Sequence, residues 1–116
     1  YVKRKCSFRR LCFFGVTTVH RDESTVQEYL SWLIDGHLQA VLAAGAIEGR
    51  VIQLGNRTVE TQYLFPSQGA YDRYEREYAQ PLREEGISLF GERGVQFKRR
   101  SGSVCIALTP STMSIK

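Results

Sequence analysis

The stretch LCFFGVTTVH, residues 11–20, decides the fold class of this chain. Cysteine, phenylalanine, valine and threonine dominate it without any helical period, so it predicts a β-strand. Successive side chains of a strand alternate between its faces, which places Leu11, Phe13 and Val19 on one face and Cys12, Phe14 and Val16 on the other. A strand that is apolar on both faces must be covered twice. Because the chain supplies about two helices, we expect helices over one face and a second copy of the chain over the other.

The segment after this strand predicts a helix that ends at a glycine. RDESTVQEYL begins it, with Ser24 or Thr25 as the N-cap and Glu28 in the first turn. Apolar positions then recur every three or four residues and put on one helical face Val26, Leu30, Leu33, His37 and Val41. Gly45 can adopt the left-handed conformation that terminates helices.

Two strands, a second helix and a last strand complete the pattern. Residues 46–54 and 57–65 alternate around Gly55-Asn56, a two-residue hairpin connection. Pro66-Ser67 opens the second helix with Ser67 as its cap, and Pro81 kinks or restarts it. Its inner stripe is formed by Tyr71, Tyr74, Tyr78 and Leu82. The last strand is expected over about residues 94–100, followed by a short extra strand and a loose tail.

The predicted order is strand, helix, strand, strand, helix, strand, which is the split β-α-β arrangement of ferredoxin-like folds. The sequence therefore predicts an α+β fold, a ferredoxin-like βαββαβ two-layer sandwich whose antiparallel sheet carries two helices on one face. Residues 1–10 are predicted to be a basic N-terminal extension, residues 11–102 the domain, and residues 103–116 a C-terminal tail.

Composition narrows the class of function. The chain has 116 residues, is 42% hydrophobic and has a formal net charge of +4, which is typical of one soluble domain. The basic residues cluster near the two ends, at Lys3, Arg4, Lys5, Arg9 and Arg10 and at Arg93, Lys98, Arg99 and Arg100. Basic termini are more often solvated than bound to phosphate, so nucleic acid is not the expected partner.

The cysteines and the first twenty residues favour one cellular compartment over others. Cys6, Cys12 and Cys105 have no metal-ligand spacing, which disfavours zinc and a disulfide framework and favours a reducing cytoplasm. The basic leader and short apolar run resemble a secretory signal, but no small-x-small cleavage site follows and the run is too short to span a bilayer. We expect no membrane partner. No motif for a nucleotide, a phosphate or a metal is present, so no cofactor is predicted.

Three segments carry a family resemblance: VQEYLSWLIDGHLQAVLAAGAI, TQYLF and YDRYEREYAQPLREEGISLFGER. Together they resemble a family of small, mostly bacterial proteins known as a domain of unknown function, over roughly residues 13 to 100. The matching positions are Trp32, His37, Gly45, Gln62, Tyr63, Leu82, Arg83, Gly86, Phe90 and Gly91. The resemblance implies a relative of the dimeric α+β barrels, in which two ferredoxin-like subunits pack sheet against sheet. Members commonly have a helix-kinking proline two residues after the histidine, where this chain has Gln39, although Gly36 could still soften the helix.

His37 and Trp32 are the first candidates for a site. His37 lies on the apolar stripe of the first helix, where a buried imidazole favours its neutral form. The favoured hypothesis is a core histidine that anchors its helix by donating to a carbonyl or tyrosine, and a pocket acid or base is the alternative. A metal role lacks a second histidine at ligand spacing. Trp32 faces away from that stripe on an ideal helix, which favours packing by a partner subunit or terminal segment over a ligand wall.

The remaining candidates lie on the hairpin and the second helix. Tyr63 is a second catalytic candidate beside His37, although core packing is the simpler interpretation. Arg50 and Gln62 share a polar face with Glu48 and Glu60, either as cross-strand pairs or as a cavity lining. Tyr74 is expected to pack against the sheet and is a candidate ligand contact. Arg83 is expected to hold the turn by bonding to carbonyls.

These features favour a homodimeric module that binds or senses a small molecule. The alternative is a cofactor-independent or haem-related oxygenase or isomerase of the dimeric α+β barrel type, with His37 or Tyr63 as acid or base. RNA binding through the open sheet is a third, weaker hypothesis, because "RRLCFFGV" is a poor copy of the required aromatic motif. Whether the protein is an enzyme stays open on the sequence alone.

Overall fold

The computed structural model describes residues 10–113, which form one antiparallel sheet with a layer of helices on one side. The strands are β1 (Cys12–Val19), β2 (Glu48–Leu54), β3 (Thr58–Phe65) and β4 (Gln96–Ser103). The helices are α1 (Glu23–Trp32), α2 (Leu38–Ala43), α3 (Gln68–Glu77), α4 (Ala79–Phe90) and a single turn, α5 (Pro110–Met113). A π-turn, Leu33–His37, joins α1 to α2, and a 3₁₀ turn, Gly91–Arg93, follows α4.

The strand order is β2-β3-β1-β4, and every neighbouring pair is antiparallel. The predicted ferredoxin-like βαββαβ sandwich is therefore confirmed. The strand LCFFGVTTVH forms β1, which lies inside the sheet with β3 on one side and β4 on the other. Its two faces separate as expected, because Cys12 and Phe14 are buried under the helices while Phe13 and Val19 lie on the open face.

The helix-covered face holds the core. Phe14, Tyr63 and Phe65 of the sheet pack with Tyr74 of α3, and their ring centroids lie 5.2–5.9 Å apart at the closest pairs. A second cluster joins Tyr29 of α1 to the residues at the end of α4. Aromatic rings bury large areas and add a pairwise preference for tilted or offset contacts, so these rings stabilise the packing of the helices on the sheet.

Local signals fix where the helices begin and end. The side chain of Asp22 accepts from the Thr25 amide and caps α1, so the predicted N-cap at Ser24 or Thr25 was wrong by two or three positions. Glu28 consequently lies beyond the first turn. Ser67 caps α3 as predicted, and Gly45, with φ of 127°, follows the end of α2.

Other boundaries differ from the prediction. The second helical segment breaks at Tyr78, and Pro81 lies in the first turn of α4, where a proline is tolerated. The β2–β3 connection has three residues, 55–57, rather than two. β4 continues to Ser103, so in the described part of the chain the predicted extra strand is absent. The basic leader, residues 1–9, lies outside the described residues, and the division of the ends into extension and tail stays a prediction.

Candidate functional site

A cleft of about 400 Å³, its mouth included, lies between the helix layer and the sheet. Most of that volume is the open mouth and gaps between side chains, and the space that a water-sized molecule can occupy inside the cleft is about 30 Å³. The sheet lines this cleft with Phe14, Val16, Thr61, Tyr63, Phe97 and Arg99. The helices line it with Tyr29, Trp32, His37, Tyr74, Leu82, Arg83 and Gly86. Aromatic rings thus form most of the wall, and a few polar groups interrupt it.

The π-turn Leu33–His37 brings Trp32 and His37 to the same wall of the cleft. Gly36 leaves helical geometry inside it, with φ of 167° and ψ of −29°. A π-turn bonds residue i to i+5, so residues five apart stack over one another. The two rings lie parallel within 23°, with centroids 4.1 Å apart. The expectation that Trp32 faces away from His37 was therefore wrong, because it assumed an unbroken α-helix.

Gln39, at the position where the family resemblance implies a proline, supports this turn. Its side-chain amide donates to the carbonyl of Ile34 at 2.8 Å, a carbonyl inside the π-turn. Irregular helical turns leave backbone carbonyls in need of a donor, and a side-chain amide can supply one. The predicted softening at Gly36 is thus present without the proline.

Gly86 of α4 makes room for the indole of Trp32. A Cβ at this position would lie 3.1 Å from Cη2 of Trp32, tighter than ordinary van der Waals contact. The indole is also packed against the rings of Tyr29 and Phe90, with centroids 5.7 Å away in each case. Trp32 is therefore half-buried within its own subunit and lines the cleft, and its cover by a partner subunit or terminal segment stays a prediction.

His37 is in the cleft, and its Nδ1 has no hydrogen-bond partner among the described residues although it is buried. The predicted anchoring bond from this nitrogen to a carbonyl or tyrosine is absent there. Burial lowers the pKa of His37 to about 4, against a smaller raising effect of Glu85. The imidazole is consequently neutral at pH 7, with a ring nitrogen available to a molecule in the cleft.

Two arginines enter the cleft from opposite layers. Arg83 of α4 donates to the carboxylate of Glu75, which also accepts from the hydroxyl of Tyr71 at 2.6 Å. The prediction that Arg83 bonds to turn carbonyls was therefore wrong. Arg99 of β4 has neither a hydrogen bond nor an ion pair among residues 10–113. Burial, followed by the charge of Arg83, lowers the pKa of Arg99 below its usual value.

The unpartnered buried polar atoms of the described chain all line this one cleft. They are Nδ1 of His37, Nε of Arg83, Nε of Arg99 and Oγ1 of Thr61. The Thr61 hydroxyl forms no hydrogen bond of normal geometry, yet it lies close enough to Tyr29 to lower that phenol's pKa slightly. Buried polar groups are nearly always paired in folded proteins, so their concentration at one place calls for an explanation.

The tyrosines of the cleft remain protonated. Tyr63 is 2% exposed and stacks on Phe14 with centroids 5.9 Å apart, and Tyr74 is equally buried. Burial raises the pKa of Tyr29 to about 12 and also raises the pKa of Tyr63 and of Tyr74. Their hydroxyls can donate hydrogen bonds to a ligand, but they do not serve as bases near neutral pH.

Arg50 and Gln62 lie on the other face of the sheet, away from the cleft. Their shallow depression is completed by Phe13, Glu48 and Leu64. Arg50 pairs with Glu48 on its own strand at 2.7 Å, and Gln62 donates to Glu60 at 3.2 Å, so the expected pairs run along strands rather than across them. The predicted ligand set is thereby divided, with Trp32, His37, Tyr63 and Tyr74 together and Arg50 and Gln62 apart.

Arg99 was missed because the basic cluster RGVQFKRR was interpreted as a solvated end. The alternation of side chains along a strand is the signal that was missed, since it places Arg99 on the same face as Phe97 and opposite Lys98.

Within residues 10–113 no group of three potential metal ligands occurs, and no helix there is long and apolar enough to cross a bilayer.

Solved structures share this architecture at low sequence identity. A dimeric ferredoxin-like protein from an uncultured marine organism superposes with a TM-score of 0.68 and 8% identity, over 85% of this chain and 99% of its own. A Streptomyces coelicolor monooxygenase from the gene ActVA-Orf6, in complex with nanaomycin D, gives 0.68 and 15%, over 88% and 94%. SnoaB, a cofactor-independent oxygenase from Streptomyces nogalater, gives 0.58 and 9%, over 86% and 97%.

No curated protein matches the chain. The pattern of one family, described as a domain of unknown function (DUF4286), matches residues 14–101. The match covers the sheet, the π-turn and the helices that line the cleft. The chain therefore belongs to the DUF4286 family.

Proposed function

We propose that this protein is a homodimeric module that binds a small, largely apolar molecule in the cleft between its helices and its sheet. One observation carries the proposal: the unpartnered buried polar atoms of the described chain converge on this cleft. An unsatisfied buried donor or acceptor costs about 1–3 kcal/mol. A ligand that accepts from Arg99 or bonds to His37 removes that cost, whereas a purely structural core gains nothing from keeping it.

The cleft proposal is tested by filling the space. 2-Naphthamide, a neutral aromatic probe, is titrated into the protein by calorimetry. Val16→Phe places a larger side chain in the cleft, and Val19→Phe makes the same change on the same strand at a position that is 45% exposed. We expect saturable binding to the parent chain and to Val19→Phe and none to Val16→Phe. Equal binding to all three proteins would contradict the proposal.

The homodimer is proposed to form through the open face of the sheet. Structural neighbours are described as dimeric, and this face presents half-buried Phe13, Ile52 and Leu64 among residues of both charges. The ring of Phe13 lies against Gly15, where a Cβ would come within 2.7 Å of Cζ, so the ring lies flat on the sheet. A face with both charge signs can be self-complementary about a two-fold axis.

The oligomeric state is tested by sedimentation of matched variants. Ile52→Lys places a charge on the open face, and Ile87→Lys makes the same change on the outer side of α4, where Ile87 is 47% exposed. We expect a dimer for the parent chain and Ile87→Lys, and a monomer for Ile52→Lys. A parent chain that sediments as a monomer at high concentration would refute the dimer.

Acid–base catalysis is the second candidate function, and the position of His37 in the cleft with an unpartnered Nδ1 favours it. Because burial lowers the pKa of this imidazole to about 4, it can take a proton from a bound molecule only as a weak base near neutral pH. An isomerisation needs only this transfer and the proton's return, whereas an oxygenation of the type named for SnoaB also needs dioxygen as oxidant. RNA binding is less well supported, because Phe14 faces the helices and Arg100 lies over the ring of Phe13, 5.6 Å from its centroid.

A further inference from the structure

We propose that the ligand of this cleft is an aromatic carboxylate whose acid group is bound by Arg99. The inference rests on the proposed function and names its ligand class. Arg99 projects from β4 on the helix-covered face, with its guanidinium carbon 5.5 Å from the centroid of Phe97. Guanidinium binds planar carboxylates through two parallel hydrogen bonds, which is the geometry that this site leaves unused.

The charge balance around Arg99 is positive. Glu75 is the acidic group at this end of the cleft, and it already accepts from Arg83 and from the Tyr71 hydroxyl. Arg83 and Arg99 against Glu75 leave one net positive charge in a partly buried place. A buried cation without a counter-ion is costly, so a monoanion is the ligand that neutralises the site.

Among the described residues, Glu75 is the one acidic side chain that lines the cleft or the groove beside it. A second copy packed on the open sheet face would lie on the opposite side of β4 from Arg99. The described residues therefore leave Arg99 without a counter-ion, and the proposed ligand supplies one.

The position of the two arginines also sets the shape of the ligand. Phe14, Arg83 and Arg99 line both the cleft and a groove of about 250 Å³ that opens at the β4 edge. An acid group at this junction directs the attached body inward, toward the rings of Trp32, Tyr63 and Tyr74 that line the cleft. Flat aromatic bodies fit walls made of aromatic rings. Because the free space inside the cleft is about 30 Å³, lining side chains must move apart to admit a ring, which limits the body to one or two fused rings.

The test compares 2-naphthoate with its neutral isostere 2-naphthamide by calorimetry. Hydrogen bonds to charged groups typically contribute about 1.5–3 kcal/mol, so we expect the acid to bind the parent chain roughly 10- to 100-fold more tightly than the amide. Arg99→Gln should reduce the affinity for the acid to that for the amide. Lys98→Gln removes the same charge from the neighbouring position on the other face and should leave the preference unchanged.

The outcomes separate this inference from the proposed function. Equal affinities of acid and amide for the parent chain, both abolished by Val16→Phe, would overturn the carboxylate and leave the cleft proposal intact. Binding of neither probe would overturn both. An equal loss in Arg99→Gln and Lys98→Gln would also overturn the inference, because it would assign the preference to overall charge. Arg99→Lys keeps the charge but not the paired donors, so it should bind the acid with intermediate affinity. The same variant serves as a control that the fold tolerates a substitution at position 99.

Discussion

On the open face of the sheet, Arg50 and Arg100 are largely exposed and each donates to a glutamate, Glu48 at 2.7 Å and Glu60 at 2.9 Å. On the helix-covered face, Arg99 is half-buried and has no such partner in the described residues. Solvation alone would favour a counter-ion for the half-buried arginine and none for the exposed ones, because water already solvates an exposed charge. This contrast is the basis for proposing a ligand on the covered face, whereas the two arginines of the open face are already paired within their own chain.

The same contrast extends to the aromatic residues. Phe14 is 3% exposed in the core cluster, whereas its neighbour Phe13 lies flat on the open face and is only half-buried. The covered face therefore stabilises the single chain, and the open face has area left for a second copy.

Phe14→Ala has the largest expected effect. It removes a ring from the core cluster and should lower the free energy of unfolding by about 3–5 kcal/mol. Phe13→Ala should lower the free energy of unfolding of the monomer by only about 1 kcal/mol. Its main effect should be to weaken the proposed homodimer. Denaturant unfolding at low protein concentration measures the first effect, and sedimentation measures the second. Equal losses of unfolding free energy in the two variants would show that both faces stabilise the single chain to the same extent.

The pH dependence of stability isolates the covered face. The pKa of His37 is lowered to about 4 by burial, below its ordinary value near 6.5, so the unfolded chain binds more protons between these limits. The neutral imidazole therefore makes its full contribution to the free energy of unfolding above about pH 6.5. This contribution falls by about 1–3 kcal/mol as the pH drops toward 4. His37→Gln should flatten this slope in unfolding measurements from pH 7 to 4.5.

Two other titratable groups also contribute to the pH dependence of stability. Burial also lowers the pKa of His20, so a smaller slope of the same sign remains in His37→Gln. Arg100 lowers the pKa of Glu60, whose contribution is lost only as the pH falls below the ordinary carboxyl range. An unchanged slope in His37→Gln would show that the imidazole is not held neutral in the folded protein.

Arg83→Gln and Arg99→Gln give the smallest expected effect and the sharpest contrast within the cleft. Removing Arg83 leaves the half-buried Glu75 without its cation and should cost about 1–2 kcal/mol of unfolding free energy. Removing Arg99 breaks no ion pair and should leave stability unchanged or slightly raise it. A thermal midpoint that falls further for Arg99→Gln than for Arg83→Gln would make Arg99 a structural residue.

The fold could be predicted from the sequence because its signals are local and agree with one another. The apolar strand LCFFGVTTVH, the serine cap at Ser67 and the terminating Gly45 each act within a few residues, and each has the predicted role in the structure. The cap at Asp22 and the break at Tyr78 were missed by a few positions, because several neighbouring residues offer comparable capping and breaking chemistry.

The site was only half predictable for a physical reason. Trp32 and His37 meet through a π-turn, and an ideal helical projection cannot show an added residue in the turn. Arg50 and Gln62 were placed correctly on one strand face, but polarity alone did not identify which face borders the helices. The role of Arg99 depends on a missing partner, and only the folded arrangement of α3, α4 and β4 shows that Glu75 is already occupied.

The most direct test of the central claim uses the indole N–H resonance of Trp32, the one tryptophan of the chain and a wall of the cleft. 2-Naphthamide is titrated into ¹⁵N-labelled protein while this signal is followed. If the cleft binds small aromatic molecules, the signal shifts saturably in the parent chain and stays fixed in Val16→Phe. An unmoved signal in the parent chain, or an equal shift in Val16→Phe, would show that the space beside Trp32 is not a binding site.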